Sequence, residues 1–203
     1  MTTKNTFAEP APLGLLGLAI GCASLVPIAF GHLGKDPAAT FETCAWMSLL
    51  FGGGCQLLAG VMALANKNML GGTLFTTFAF NWGMNFWALD GLAHGKAPDA
   101  AVILAADVAF LVIFVVLTFA FALVSKMLFL LLLDLDVLYG LRIAHVHGAA
   151  IGVATIALAA ISITIALATM MREALALRVT PPVRAPRSTS APEPGPGPAP
   201  VLA

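Results

Sequence analysis

Charge is what this chain has least of. Its 203 residues include ten Lys or Arg and ten Asp or Glu, so 10% are charged, against about 25% in soluble domains. Hydrophobic residues make up 60% and the mean hydropathy is +0.95. These values exclude a soluble globular fold and predict an all-α integral membrane protein. The formal net charge is zero, which leaves no electrostatic footprint for a nucleic acid. Cysteine is also scarce. Cys22, Cys44 and Cys55 are odd in number and sit in or beside apolar runs, so they read as small packing residues rather than a disulfide framework. Neither a metal site nor a cofactor is expected.

What the chain does have is apolar length. A membrane span needs about 20 predominantly apolar residues. Runs at Leu13–Gly31, Cys44–Ala65, Leu70–Leu89, Ala100–Val124, Met127–Ile143 and Ala149–Met171 qualify, predicting a bundle of six transmembrane helices. Residues 1–12 form a polar N-terminal segment, 13–171 the membrane domain, and 172–203 a Pro-rich tail expected to be disordered. An even number of spans puts both termini on one side. Lys4, Lys67, Lys126, Arg172, Arg178, Arg184 and Arg187 fall on that side, against Lys35, Lys96 and Arg142 on the other. The excess predicts cytoplasmic termini. The expected location is a bacterial inner membrane.

Several side chains are polar where lipid would not tolerate them. Thr73, Thr77, Asn81 and Asn85 recur every four residues, on one slowly drifting helical face. With Gln56 they either hydrogen-bond between helices, worth about 0.6–2 kcal/mol each, or line a wet path. The Gly17-xxx-Gly21 and Gly148-xxx-Gly152 pairs read as close-packing motifs. Asp107 reads as interfacial. Asp134 and Asp136 lie mid-span, where a carboxylate costs about 2.5–3.5 kcal/mol. They are about 200° apart around a helix, so at most one faces a pore. Continued regularly, the helix aligns Asp134 with His145 and Asp136 with His147, about 16 Å away along the axis. All four histidines (His32, His94, His145, His147) fall in or beside the outward loops. They are either ordinary loop residues or an outer vestibule whose charge rises on acidification.

These residues resemble a known family. Glu9-Pro-Ala-Pro-Leu-Gly-Leu15 is similar to the Asn-Pro-Ala-Pro-Leu-Gly-Leu signature of the acetate uptake transporters, which include the succinate–acetate permeases. The Gly-Gly-x-x-Gln-x-x-Ala-Gly run at 52–60 resembles the family's second-span pattern. Asn68-x-x-Gly-x-Thr-x-Phe-Thr-x-Phe with Trp82 resembles its third. The likeness is strong over residues 9–82 and fades to hydropathy and spacing beyond. It implies a six-helix protomer in a homo-hexameric ring, a path through each protomer, and short-chain monocarboxylates, sometimes succinate, moving with protons or as through a channel. It implies a constriction of three large apolar side chains at Leu18, Phe78 and Leu135, where a wholly apolar ring gates by dewetting. It also carries Glu9, Pro10, Pro12, Leu13 and Gly14 into the cytoplasmic mouth. Glu9 replaces the family's Asn, and Asp134 and Asp136 flank Leu135 at positions uncharged in the family. An anion at the constriction would meet like charge if either aspartate faced it.

The expected function is therefore a transporter or channel for acetate and related carboxylates. Moving one negative charge inward against 100 mV costs about 2.3 kcal/mol, so uptake is proton-coupled or drawn by consumption inside. The expected path passes Thr73, Thr77, Asn81 and Gln56, with Asp134 or Asp136 carrying or gating the proton. Acidic residues at the constriction instead favour a channel for ammonia, ammonium or urea. A structural or sensory membrane protein would show no flux. An aspartyl enzyme is disfavoured, because two carboxyls on one helix do not face each other.

Overall fold

The computed structural model describes residues 6–179, and among these there is no strand. Helix α1 spans Ala11–Ala29. Helix α2 is a continuous rod, Pro37–Ala65, wound as a π-helix over Ser48–Cys55 between α-helical Pro37–Met47 and Gln56–Ala65. Then come α3 (Met69–Ala93), α4 (Ala100–Ala122), α5 (Lys126–Ile143) and α6 (Ala149–Val179). Rods α1, α2, α4 and, over Ala149–Ala176, α6 are long and apolar enough to cross a membrane. The other two carry more polar residues, the Thr and Asn of α3 and the Lys126, Asp134, Asp136 and Arg142 of α5. The protein is an integral membrane protein.

The polar breaks between apolar runs serve as helix caps. Asp36 Oδ1 accepts the Ala39 N–H at 3.2 Å, with Pro37 preset for the first turn, so α2 begins at Pro37 rather than Cys44. Asn68, Asp99 and Ser125 likewise cap α3, α4 and α5. Helix α6 runs past Arg172, where the tail was expected, because residues 172–179 contain only helix-tolerant residues and no proline. The rest of the expected tail, 180–203, lies outside the described residues. Helix α5 ends at Ile143, and His145 takes a left-handed φ of 54°. The aspartate–histidine alignment is therefore broken. Gly148 is a turn residue with φ of 75°, not half of a packing pair; only Gly152 packs, against the Phe30 ring.

The helices alternate in direction. Phe7, before α1, exchanges two hydrogen bonds with Asn66 at the α2–α3 turn (2.8 and 3.0 Å). Gly152, near the start of α6, faces Phe30 at the end of α1. Helix α1 packs on α2 and α6, α2 on α3, and α5 on both α4 and α6. The Phe78–Phe114 contact, 4.7 Å between centroids, brings α3 to α4 and closes the ring. Close approach of the first three helices depends on Gly52 and Gly21. A Cβ at Gly52 would overlap the Trp82 indole, and one at Gly21 would lie 3.0 Å from it, so the ring sits directly on both backbones.

Candidate functional site

Helices α1, α3, α5 and α6 enclose a cavity of about 290 Å³. Leu18, Phe78 and Leu135 all line it and are buried, at 1%, 3% and 3% exposure. The structure thus brings together the three side chains that the family resemblance singles out. Phe114, fully buried, backs Phe78 and stands 5.4 Å from the Tyr139 ring, so Phe78 is braced rather than free to swing.

One helical turn beyond this apolar level the wall becomes polar. Asn85 Nδ2 donates to Asn81 Oδ1 at 3.1 Å, and Asn81 Nδ2 donates to Tyr139 Oη. A tyrosine hydroxyl that accepts still holds its own proton to donate. The donors therefore run in one direction, each polarising the next, and end at a residue on the cavity wall. Thr155 on α6 joins this wall and returns its proton to Ile151 O at 2.8 Å.

The charged side chain among the lining residues is Arg142, in the last turn of α5. It forks onto Asp107 of α4, Nη2 to Oδ1 at 2.9 Å and Nε to Oδ2 at 3.2 Å. Its Cζ lies 5.2 Å over the Tyr139 ring. Asp107 does not line the main cavity. It lines a smaller one of about 80 Å³ behind, which Asn81, Asn85 and Arg142 share. Asp107 is thus a buried ion-pair partner near the start of α4. The available signal was a lone acid near the start of α4 and an arginine near the end of the antiparallel α5.

Asp134 and Asp136 line neither cavity. Leu135, Leu138, Tyr139 and Arg142 form the cavity face of α5, and each aspartate lies about 100° to one side of Leu135. Asp136 turns to α4, where Thr118 Oγ1 lies 2.7 Å from its Oδ2 and 2.9 Å from Phe114 O. Asp134 Oδ2 and Asp136 Oδ1 are buried without a hydrogen-bond partner among the described residues. Like charge does not meet an anion on the cavity wall.

Other expected path residues do not line this cavity. Thr73 is exposed and Thr77 half-buried, and neither lines the cavity. Each four-residue step drifts by about 40°, so Thr73 is some 80° from Asn81. Gln56 is wholly buried, off the cavity, with neither amide atom partnered among the described residues. Pro10, Pro12 and Gly14 are buried; Gly14 fits against Phe75 and Ala59, while Leu13 is 37% exposed. This segment packs the start of α1 and does not line this cavity. Glu9 accepts the Ala11 N–H at 3.1 Å, so its charge meets the unpaired amides of a helix N-terminus. His32, His94, His145 and His147 are exposed in loops at the Arg142 end, and none lines the cavity. His94 Nδ1 is 2.8 Å from Asp90 O.

No family model and no curated protein matches the chain. A solved structure does: that of the bacterial acetate channel SatP, with a TM-score of 0.72 and 25% identity, covering 87% of this chain and 99% of that one. The family resemblance read from the sequence is thus matched in three dimensions. The similar protein is a channel rather than an enzyme, in keeping with transport rather than catalysis.

Proposed function

We propose that this protein conducts acetate and other short-chain carboxylates across the membrane. One observation carries the reading: an apolar floor of Leu18, Phe78 and Leu135 lies beneath a polar wall whose charge is cationic. A carboxylate accepts the Tyr139 hydroxyl proton and faces Arg142, while its short alkyl part lies on the floor. Passage strips water from the anion at the apolar level, and the wall replaces part of that hydration. The similarity to an acetate channel supports the substrate class. Cation conduction drew its support from acidic residues at the constriction, and these stand off the wall.

Six helices span, the termini are cytoplasmic in a bacterial inner membrane, and the cavity faces outward. Six protomers form a ring, and succinate is a further substrate. The proton route runs beside the cavity. Thr118 has one hydroxyl proton and two acceptors, Phe114 O and Asp136 Oδ2. A proton on Asp136 lets that residue donate to Thr118 while Thr118 donates to Phe114 O, satisfying all three. Asp134 provides the second proton position.

Flux in proteoliposomes tests the reading. Acetate should pass faster than urea or ammonium at equal gradients. Passage of urea or ammonium without acetate would favour the small-solute channel, and no flux of any solute would favour a structural or sensory protein.

A further inference from the structure

Resting on the carboxylate reading, we propose that the Arg142–Asp107 pair is the charge selector of the cavity: Arg142 presents its remaining donors to the permeant carboxylate, and Asp107, set behind it, limits the positive charge that the permeant meets.

The two members of the pair are placed unequally. Arg142 lines both cavities, whereas Asp107 lines only the smaller one behind. The arginine side chain is 33% exposed and the aspartate 12%. The fork to Asp107 uses the Nε proton and one Nη2 proton. An arginine has five N–H donors, so three remain. The Tyr139 ring under Cζ holds the guanidinium in place, where its donors and the Tyr139 hydroxyl serve the same wall. Among the described residues no other Lys, Arg, Asp, Glu or His lines either cavity. The pair therefore decides the charge of the path. Intact, it is dipolar, cation forward and neutral in sum. This arrangement attracts a carboxylate without trapping it, which conduction requires.

A simple staple between α4 and α5 would behave differently, because either neutralisation would break it and both would harm transport alike. A selector gives opposite signs. In proteoliposomes, Arg142→Gln leaves one negative charge and should raise the KM for acetate by about ten-fold. Asp107→Asn leaves one positive charge and should lower that KM several-fold, with a lower maximal rate as the anion leaves more slowly. The double variant restores neutrality and should fall between the two, and it contains no lone buried charge to disturb folding. Acetamide, neutral and nearly isosteric with acetate, reads the path without the charge, and its flux should change far less than that of acetate in all three. Shifts of KM in one direction in both single variants, or acetamide flux falling as far as acetate flux, would overturn the proposal.

Failure of the functional reading looks different. It is a wild-type protein that passes ammonium and not acetate. The selector then demands reversed signs, with Arg142→Gln raising ammonium flux and Asp107→Asn lowering it. Flux insensitive to both would reject the selector as well.

Discussion

Replacing Tyr139 with Phe removes one oxygen and leaves the ring in its place against Phe110 and Phe114. Two consequences separate cleanly. First, Asn81, only 7% exposed, loses the acceptor for its amide N–H. A buried donor left unpaired costs about 1–3 kcal/mol, so the variant should melt at a lower temperature in detergent. Second, the donor chain from Asn85 through Asn81 loses its terminal O–H. A hydrogen bond to a charged group contributes about 1.5–3 kcal/mol, which converts to a KM for acetate raised roughly 10- to 150-fold. Concentration-dependent uptake of labelled acetate into proteoliposomes measures this directly. Asn85→Ala removes only the far end of the chain and should shift the KM less. A Tyr139→Phe protein with lowered melting temperature but a KM within about two-fold of wild type would refute the reasoning, because Tyr139 would then serve Asn81 and not the permeant.

Gly52→Ala places a methyl group inside the Trp82 ring, and overpacking of about 1–3 kcal/mol should appear as a lower thermal midpoint with the helix content retained. Leu135→Ala removes part of the apolar floor, so flux of butyrate should rise relative to acetate; an unchanged ratio in a competition assay would show that Leu135 does not limit passage. Asp136→Asn keeps a polar partner for Thr118 at 2.7 Å but carries no exchangeable acid. Acetate-driven acidification of the vesicle lumen should then be lost while downhill acetate exchange persists, and retained acidification in both this variant and Asp134→Asn would end the proton role.

Hydropathy made the helices legible, since backbone in lipid must satisfy its own hydrogen bonds and leaves little choice of structure. The ends were less legible, because Asp36 and the proline-free stretch after Arg172 extend helices beyond the apolar runs. The apolar trio Leu18, Phe78 and Leu135 came from motif resemblance and not from any periodicity. Sequence spacing placed Asn81 and Asn85 together correctly, yet over-extended the face to Thr73 because 3.6 residues per turn drifts with every step. The π-helical turn over Ser48–Cys55 had a trace in Gly52-Gly53-Gly54, but glycine composition does not distinguish a π turn from close packing. Tyr139 and the Arg142–Asp107 fork were missed for another reason. Their roles come from contacts across helices, whose rotational phases a single chain does not report.

That phase gives the polar residues of α5 a common logic. Rotating α5 by one residue, about 100°, would carry Leu135 off the floor and bring Asp134 or Asp136 onto it. The cavity would then change from cation-lined to anion-lined with no change in sequence. Three polar ties oppose this rotation: Asp136 to Thr118, Tyr139 to Asn81, and Arg142 to Asp107. They leave α5 toward α4 and α3. Apolar packing alone fixes rotation weakly here, because leucines occupy Leu128 and the run Leu130–Leu133 and would fit many phases. Interhelical hydrogen bonds in membranes contribute only about 0.6–2 kcal/mol each. Their direction matters more than their strength, since a rotated helix would break all three at once and leave charged groups unpaired in a low-dielectric interior. Asp136, a carboxylate that looks hostile to an anion path in the sequence, is in this arrangement part of what keeps negative charge away from it.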